Sequence, residues 1–272
     1  MPEGPECHHI CDILKSRLVG KTIICVEVLS GRYVRHGDPE GWSLLEGSFH
    51  YIRDIGVKGK FIYFVLGDEI SIFNTLGMTG QWCSEYDIHC RVVFHLDSGE
   101  SVYFRDIRNF GTIKIVKGVD KLNKKLKLLG SDILVDRLGN SEVLSLFRKR
   151  GSWTLPKFLM NQGYLSGVGN YIKCEGLHRS GLSPHSRIEE LSDEDIMRVY
   201  VAVCEVARAS YLNKGASFQT YRDPDKNKGK YSFSFLVYGK DHVLGYPIIV
   251  DKTMDGRSTY WSPSYLANLK KG

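Results

Sequence analysis

Long apolar runs are missing from this chain. No stretch of its 272 residues approaches the roughly 18 consecutive apolar positions that a membrane-spanning helix needs. The start, Pro-Glu-Gly-Pro-Glu after Met1, lacks the basic and then apolar order of a secretory leader. These two absences lead to the expectation of an intracellular protein. Paired cysteines are missing too: seven are scattered along the chain, an odd number, with no C-x-x-C among them. They read as reduced thiols, mostly filling the core. There is no internal repeat and no low-complexity tract, which removes solenoids and compositional linkers from consideration.

What is present is an ordinary soluble composition, 42% hydrophobic and 25% charged, in a chain long enough for two domains with real cores. A net charge of +6 and a pI near 8.8 favour a polyanionic partner without requiring one.

The first residues read as a helix. Pro5 suits its first turn, Glu3 and Glu6 suit its positive end, Ile10, Leu14 and Leu18 form an apolar stripe, and Gly20 stops it. Short β-branched and aromatic runs follow at 22–29, 61–66, 70–73, 91–96 and 112–116, separated by Gly, Asp and Ser. Such spacing predicts an antiparallel β-sandwich. The lysine-rich segment 117–130 reads as a linker or exposed connection, after which the pattern turns helical, so a domain boundary is expected near residue 132. Helices are expected at 141–150, at 154–162, and from a capping box at Ser192-Asp-Glu-Asp195 through Tyr211. The tail from about Gly215 is strand-like again. The fold class is therefore α+β.

The beginning of the chain is chemically distinctive. Behind a small Pro2, Met1 is expected to be removed, leaving a secondary amine beside Glu3 and Glu6. An α-amine titrates near 8 and a lysine near 10.4, so at pH 7 about a tenth of the former is neutral against under about a thousandth of the latter. Desolvation raises that fraction further. An N-terminal proline is thus suited to forming an iminium with a sugar carbon, and a neighbouring carboxylic acid to protonating the sugar oxygen as the ring opens. The bland alternative is that these residues only start a helix.

Five segments decide between them. Met-Pro-Glu-Gly-Pro-Glu at 1–6, Lys58-Gly-Lys60, Leu76-Gly-Met-Thr-Gly80, Asp106-Ile-Arg108-Asn-Phe110-Gly111 and Gly167-Val-Gly-Asn-Tyr-Ile-Lys-Cys-Glu175 span most of the chain. In this order they resemble the formamidopyrimidine-DNA glycosylase/endonuclease VIII family. The resemblance implies Pro2 as nucleophile, Glu3 as general acid, Glu6 as a supporting carboxylate and Lys60 as a catalytic lysine on a hairpin. Lys58 has no family role and reads as a solvated hairpin lysine. Met78, Arg108 and Phe110 fall where the family fills the gap left by a flipped base, a gap that must be refilled because unstacking costs a few kcal/mol. The family often has histidine where this chain has Thr75.

The same resemblance makes Gly167–Asn170 the turn of a helix-two-turn-helix motif, with Asn170 aimed at the DNA backbone, and Glu175 a carboxylate at the bottom of the motif that bonds helix-terminal amides rather than DNA. In the tail, Val237-Tyr-Gly-Lys240 and Gly256-Arg-Ser-Thr-Tyr-Trp-Ser-Pro263 resemble segments framing the family's zinc finger, but its four cysteines are absent. Asp241, Leu244, Ser262 and Tyr265 stand at the ligand positions, a set unable to bind zinc tetrahedrally. A zincless finger over about 236–265 is expected, as in the Nei-like branch, with strands at 246–250 and 257–261 paired and Ile248, Val250, Tyr260 and Trp261 packed. Arg257 lands where the family contacts a phosphate. The basic loop between 215 and 232 takes no role.

The function implied is a bifunctional DNA glycosylase/AP lyase of base excision repair, removing oxidised pyrimidines and ring-opened purines and cleaving the strand by β,δ-elimination. No cofactor or metal is implied. The partner is damaged DNA, duplex with single strands left open, with no membrane and the chain acting as a monomer, wherever the cell keeps its DNA. The alternative of another class is a damaged-DNA-binding protein of the same fold that has lost catalysis.

Overall fold

The computed structural model describes residues 2–216 and 222–269. The chain forms two compact units, one of Met1–Leu128 with Asn213–Lys230 and one of Leu129–Leu212 with Tyr231–Gly272.

In the first unit, α1 (Gly4–Leu18) buries Ile10, Leu14 and Leu18, spaced one turn apart, and ends ahead of Gly20, whose φ of +92° only glycine adopts freely. After it come β1 (Thr22–Val28), α2 (Arg32–His36), β2 (His50–Lys58), β3 (Phe61–Leu66), β4 (Ile70–Thr75), β5 (Gly80–Cys83), β6 (Cys90–Leu96), β7 (Ser101–Asp106) and β8 (Thr112–Lys117). All eight strands join one antiparallel sheet in the order β5-β7-β6-β1-β2-β3-β4-β8.

That sheet is folded over on itself. Trp82 of β5 and Phe64 of β3 lie five strands apart, about 24 Å in a flat sheet. Their rings are nevertheless 5.3 Å apart, and Trp82 Nε1 donates to Asn74 Oδ1 of β4 at 3.1 Å. The two halves therefore face each other across a core holding Phe94 and Phe104 as well, each within 5.6 Å of Trp82. This is the sandwich expected from the strand spacing.

The five expected runs correspond to β1, β3, β4, β6 and β8. β2, β5 and β7 were not anticipated, because Arg53, Asp54 and Gly56 interrupt the first, the second has only four residues, and the third buries an aspartate at its end. The lysine-rich segment is not a plain connection: α3 (Val119–Lys127) occupies it, with Leu122 buried on one face and lysines on the others. A short amphipathic helix with so few apolar positions is hard to tell from a solvated linker by composition.

The second unit begins with β9 (Ser131–Asp132), followed by α4 (Asn140–Arg148), α5 (Leu155–Leu159), β10 (Leu165–Ser166), α6 (Asn170–Ser180) and α7 (Asp193–Leu212). β9 and β10 pair in parallel. The capping box of α7 is formed, Asp195 N donating to Ser192 Oγ at 3.1 Å and Ser192 N to Asp195 Oδ2 at 3.3 Å. Gly176 lets α6 lie close on α7, since a Cβ there would stand 2.6 Å from Val203 Cγ2.

Two hairpins follow, β11 (His242–Val243) with β12 (Tyr246–Pro247) and β13 (Ile249–Lys252) with β14 (Ser258–Trp261), and then α8 (Pro263–Leu269). The strand expected over 246–250 is thus divided. Pro247 has no N–H to give, and Ile248 N donates back to Asp241 O at 2.8 Å, so pairing with β14 begins only at Ile249. Of the residues expected to pack here, Ile248 and Tyr260 lie against Cys174, Val237 and Val243, whereas Val250 is 52% exposed. Trp261 is held by a bond from its Nε1 to Asp251 at 2.8 Å.

Candidate active site

Pro2, Glu3 and Glu6 are all buried at the start of α1. Both Glu6 oxygens accept backbone amides: Oε2 from Glu3 N at 2.7 Å and Oε1 from Ala216 N at 2.6 Å. Gly215, with φ +88°, lies so close to this side chain that a Cβ would meet Glu6 Cγ at 2.8 Å. Glu6 thus fixes the backbone that follows Pro2 and ties it to the root of the 215–230 segment. Residues 217–221 of the basic loop lie outside the described residues.

Lys60 occupies the two-residue turn between β2 and β3, after Gly59 with φ +58°, where a type II′ turn wants glycine first. α1 runs along β2 so that Lys15 pairs with Asp54 and Cys11, one turn earlier, donates to Ile55 O. Continued, that register carries the start of α1, with Pro2, toward the Gly59-Lys60 turn. Lys58 is not a free surface lysine: its Nζ donates to Leu126 O, at the C-terminal end of α3, at 3.3 Å.

Met78, Arg108 and Phe110 sit on two loops that touch. A Cβ on Gly77 (φ +58°) would stand 2.7 Å from the backbone of Phe110 and Gly111. Asp106, 1% exposed, organises both: Oδ1 accepts Thr79 Oγ1 at 2.5 Å and Arg108 N at 3.2 Å, and Oδ2 accepts Gly111 N at 2.7 Å. On this base the Arg108 guanidinium lies 4.8 Å over the Phe110 ring, which is 54% exposed. An exposed, pre-stacked cation and aromatic pair presents a flat face to solvent, suited to stacking against a base. Thr75 bonds across the strand pair to Thr112 Oγ1 at 2.7 Å.

In the second unit, Asn170 begins α6 after Gly167, whose φ is +101°. Its Nδ2 donates to Ser258 O at 2.9 Å, and its Oδ1 has no hydrogen-bond partner among the described residues. Arg257 is exposed in the turn between β13 and β14, so Asn170 is brought to the same turn. Glu175 is fully buried and accepts the backbone amides of Leu236, Val237 and Tyr238 at 2.8–3.1 Å. It anchors the chain entering the hairpins.

The residues at the finger's ligand positions do not fit a zinc ion. Leu244 has no donor atom and is 79% exposed, while the Tyr265 ring packs 4.7 Å from His178. Burial holds that histidine down to about 4, a neutral ring against an aromatic neighbour. Among the described residues no group of three or more His, Cys, Asp and Glu could hold a metal, and no helix is long and apolar enough to cross a membrane.

Two elements of these sites were not picked out from the sequence. Asp106 opens the 106–111 segment, where the sequence assigns it no role, although an aspartate ahead of a turn is a recognised loop organiser. Lys173 and Asp255, which form a buried ion pair, are 82 residues apart and carry no local signal.

Residues 1–113 match the family model for the formamidopyrimidine-DNA glycosylase N-terminal domain. The chain is 32% identical over 248 residues to formamidopyrimidine-DNA glycosylase of Brevibacillus brevis, covering 88% of each. It is 30% identical to that of Pelotomaculum thermopropionicum over 97% of this chain and 98% of the other. The crystal structure of the MutM (Fpg) protein from Thermus thermophilus superimposes with a TM-score of 0.84 at 27% identity, covering 97% of this chain and 98% of that one.

Proposed function

Since the chain belongs to the formamidopyrimidine-DNA glycosylase family, we propose that it is a bifunctional glycosylase and AP lyase that removes oxidised bases from DNA through the amine of Pro2. The observation that carries this reading is the buried Pro2-Glu3 start, clamped by Glu6 on two sides.

With Met1 removed, the neutral Pro2 amine attacks C1′ of the damaged nucleotide, and the base departs with the bonding pair and takes up the proton that the Pro2 nitrogen loses on forming the new bond. Glu3 protonates the ring oxygen as the sugar opens, leaving an iminium between Pro2 and C1′. That cation acidifies the C2′ hydrogen; its loss expels the 3′ phosphate, and a second elimination expels the 5′ phosphate. The tail, with a finger lacking zinc ligands, favours oxidised pyrimidines and ring-opened purines as substrates. Borohydride with DNA containing an abasic site tests the reaction directly. A covalent protein–DNA adduct is expected; its absence, with DNA binding intact, selects a non-catalytic binding protein instead.

Lys60, on a rigid two-residue turn, serves the damaged base more than the lyase step. Lys60→Ala is expected to reduce base excision by roughly 100-fold, the scale on which a positioned proton donor acts, and cleavage of a preformed abasic site far less. Equal losses on both substrates would make it a general DNA contact.

Arg108 with Phe110 fills the gap left by the flipped base. Arg108→Ala is expected to lower excision from duplex DNA by about ten-fold or more, given a few kcal/mol for unstacking, and to spare single strands, which have no stack to refill. Identical losses on the two substrates would exclude that role.

A further inference from the structure

Lys173 lies in the first turns of α6 with its side chain 0% exposed, and a lysine is almost never so buried without a partner. Its Nζ donates to Asp255 Oδ2 at 2.7 Å, and the Asp255 side chain is itself only 4% exposed. Asp255 belongs to the tight turn between β13 and β14. Its other oxygen accepts Thr253 Oγ1 at 2.5 Å and the backbone N–H of Arg257 at 3.4 Å. The Arg257 carbonyl accepts Thr253 N at 3.1 Å, so the backbone of Arg257 is held on both sides while its side chain faces solvent. One turn before Lys173, on the same face of α6, Asn170 bonds the next residue, Ser258.

We infer that the Lys173–Asp255 pair is a positioning device: it locks the hairpin turn onto α6 and thereby sets the direction of Arg257, in a finger whose sequence offers no metal to do so. The physical argument lies in what the pair replaces. Two desolvated charges are rarely a net gain in stability over well-packed apolar side chains, and an apolar pair of similar volume often folds as well or better. What apolar side chains lack is direction. A carboxylate that joins an ammonium on one oxygen to a hydroxyl and the Arg257 amide on the other fixes the turn in one geometry. The inference rests on the reading of Arg257 as a contact to the DNA backbone.

The test is a double-mutant cycle on the full chain, reading affinity for duplex DNA that carries a tetrahydrofuran abasic analogue, which cannot form an iminium or be cleaved, across a salt series together with thermal unfolding. Arg257→Ala in the native background is expected to weaken binding about ten-fold, as for loss of one charge-assisted bond, and to make the log–log salt slope shallower by about one. Lys173→Met with Asp255→Leu is expected to keep the thermal midpoint, show the same weakening and the same shallower slope, and lose nothing further when Arg257→Ala is added. Asp255→Asn, which keeps shape but strands the ammonium, is expected to weaken binding and lower the midpoint together.

If Arg257→Ala alone leaves binding unchanged, the backbone-contact reading fails and the inference with it. If Arg257→Ala weakens binding but the Met/Leu protein binds like the native chain, or retains a full additional response to Arg257→Ala, the positioning role alone is overturned. A Met/Leu protein that does not fold overturns it as well, because the pair is then an element of stability.

Discussion

A protein in which one extra residue remains in front of Pro2 is expected to form no borohydride-trapped complex with abasic DNA. Acylating the Pro2 nitrogen turns an amine into a tertiary amide, whose lone pair is delocalised into the carbonyl and cannot attack C1′. Base excision is expected to fall by roughly three orders of magnitude or more, as when other covalent nucleophiles are removed. Pro2 is buried, so affinity for abasic DNA and the thermal midpoint must be measured beside trapping, to separate a blocked amine from a displaced N-terminus. Trapping at the native level in the blocked protein would move the nucleophile elsewhere, Lys60 first.

The largest effect on stability is expected at Glu175. Its carboxylate receives three consecutive backbone amides with no solvent access: Oε1 accepts Leu236, Val237 and Tyr238, and Oε2 accepts Leu236. Glu175→Gln keeps the shape but replaces one oxygen by an NH₂ that can only donate, and it removes the charge that strengthens the remaining bonds. Charge-assisted bonds contribute about 1.5–3 kcal/mol each and an unsatisfied buried donor costs about 1–3 kcal/mol, so a loss of about 3–5 kcal/mol is expected. For a unit of this size that corresponds to a fall in melting temperature on the order of 10 °C. The hairpins begin just after these amides, so the contact to DNA proposed for Arg257 is expected to weaken in parallel. A Gln variant within about 1 kcal/mol of the native protein would show that the amides find other acceptors.

Much of the candidate site was legible because its parts are local. Pro2, Glu3 and Glu6 are consecutive or within one helical turn, Gly59 and Lys60 make a two-residue turn, and Gly167–Asn170 open a helix. Each works over a span where backbone preference and residue type speak for themselves. The strands were legible where β-branched and aromatic residues ran together, as in β3, and illegible where burial depended on a neighbour, as in β2 and β7.

By itself the sequence determined the α+β class, the helical start carrying Pro2, the membership that its ordered motifs announce, and a finger without zinc ligands. Only the tertiary structure decided which side chains complete those motifs. Asp106 joins the loops bearing Met78 and Arg108 across 27 residues, Glu6 reaches Ala216 across 210, Glu175 gathers the amides of 236–238, and Lys173 meets Asp255 across 82. The division has one physical cause. Capping, turn chemistry and apolar periodicity are properties of neighbouring residues, whereas a buried carboxylate or ammonium takes its meaning from the partner that offsets its desolvation, and the fold alone brings that partner within reach.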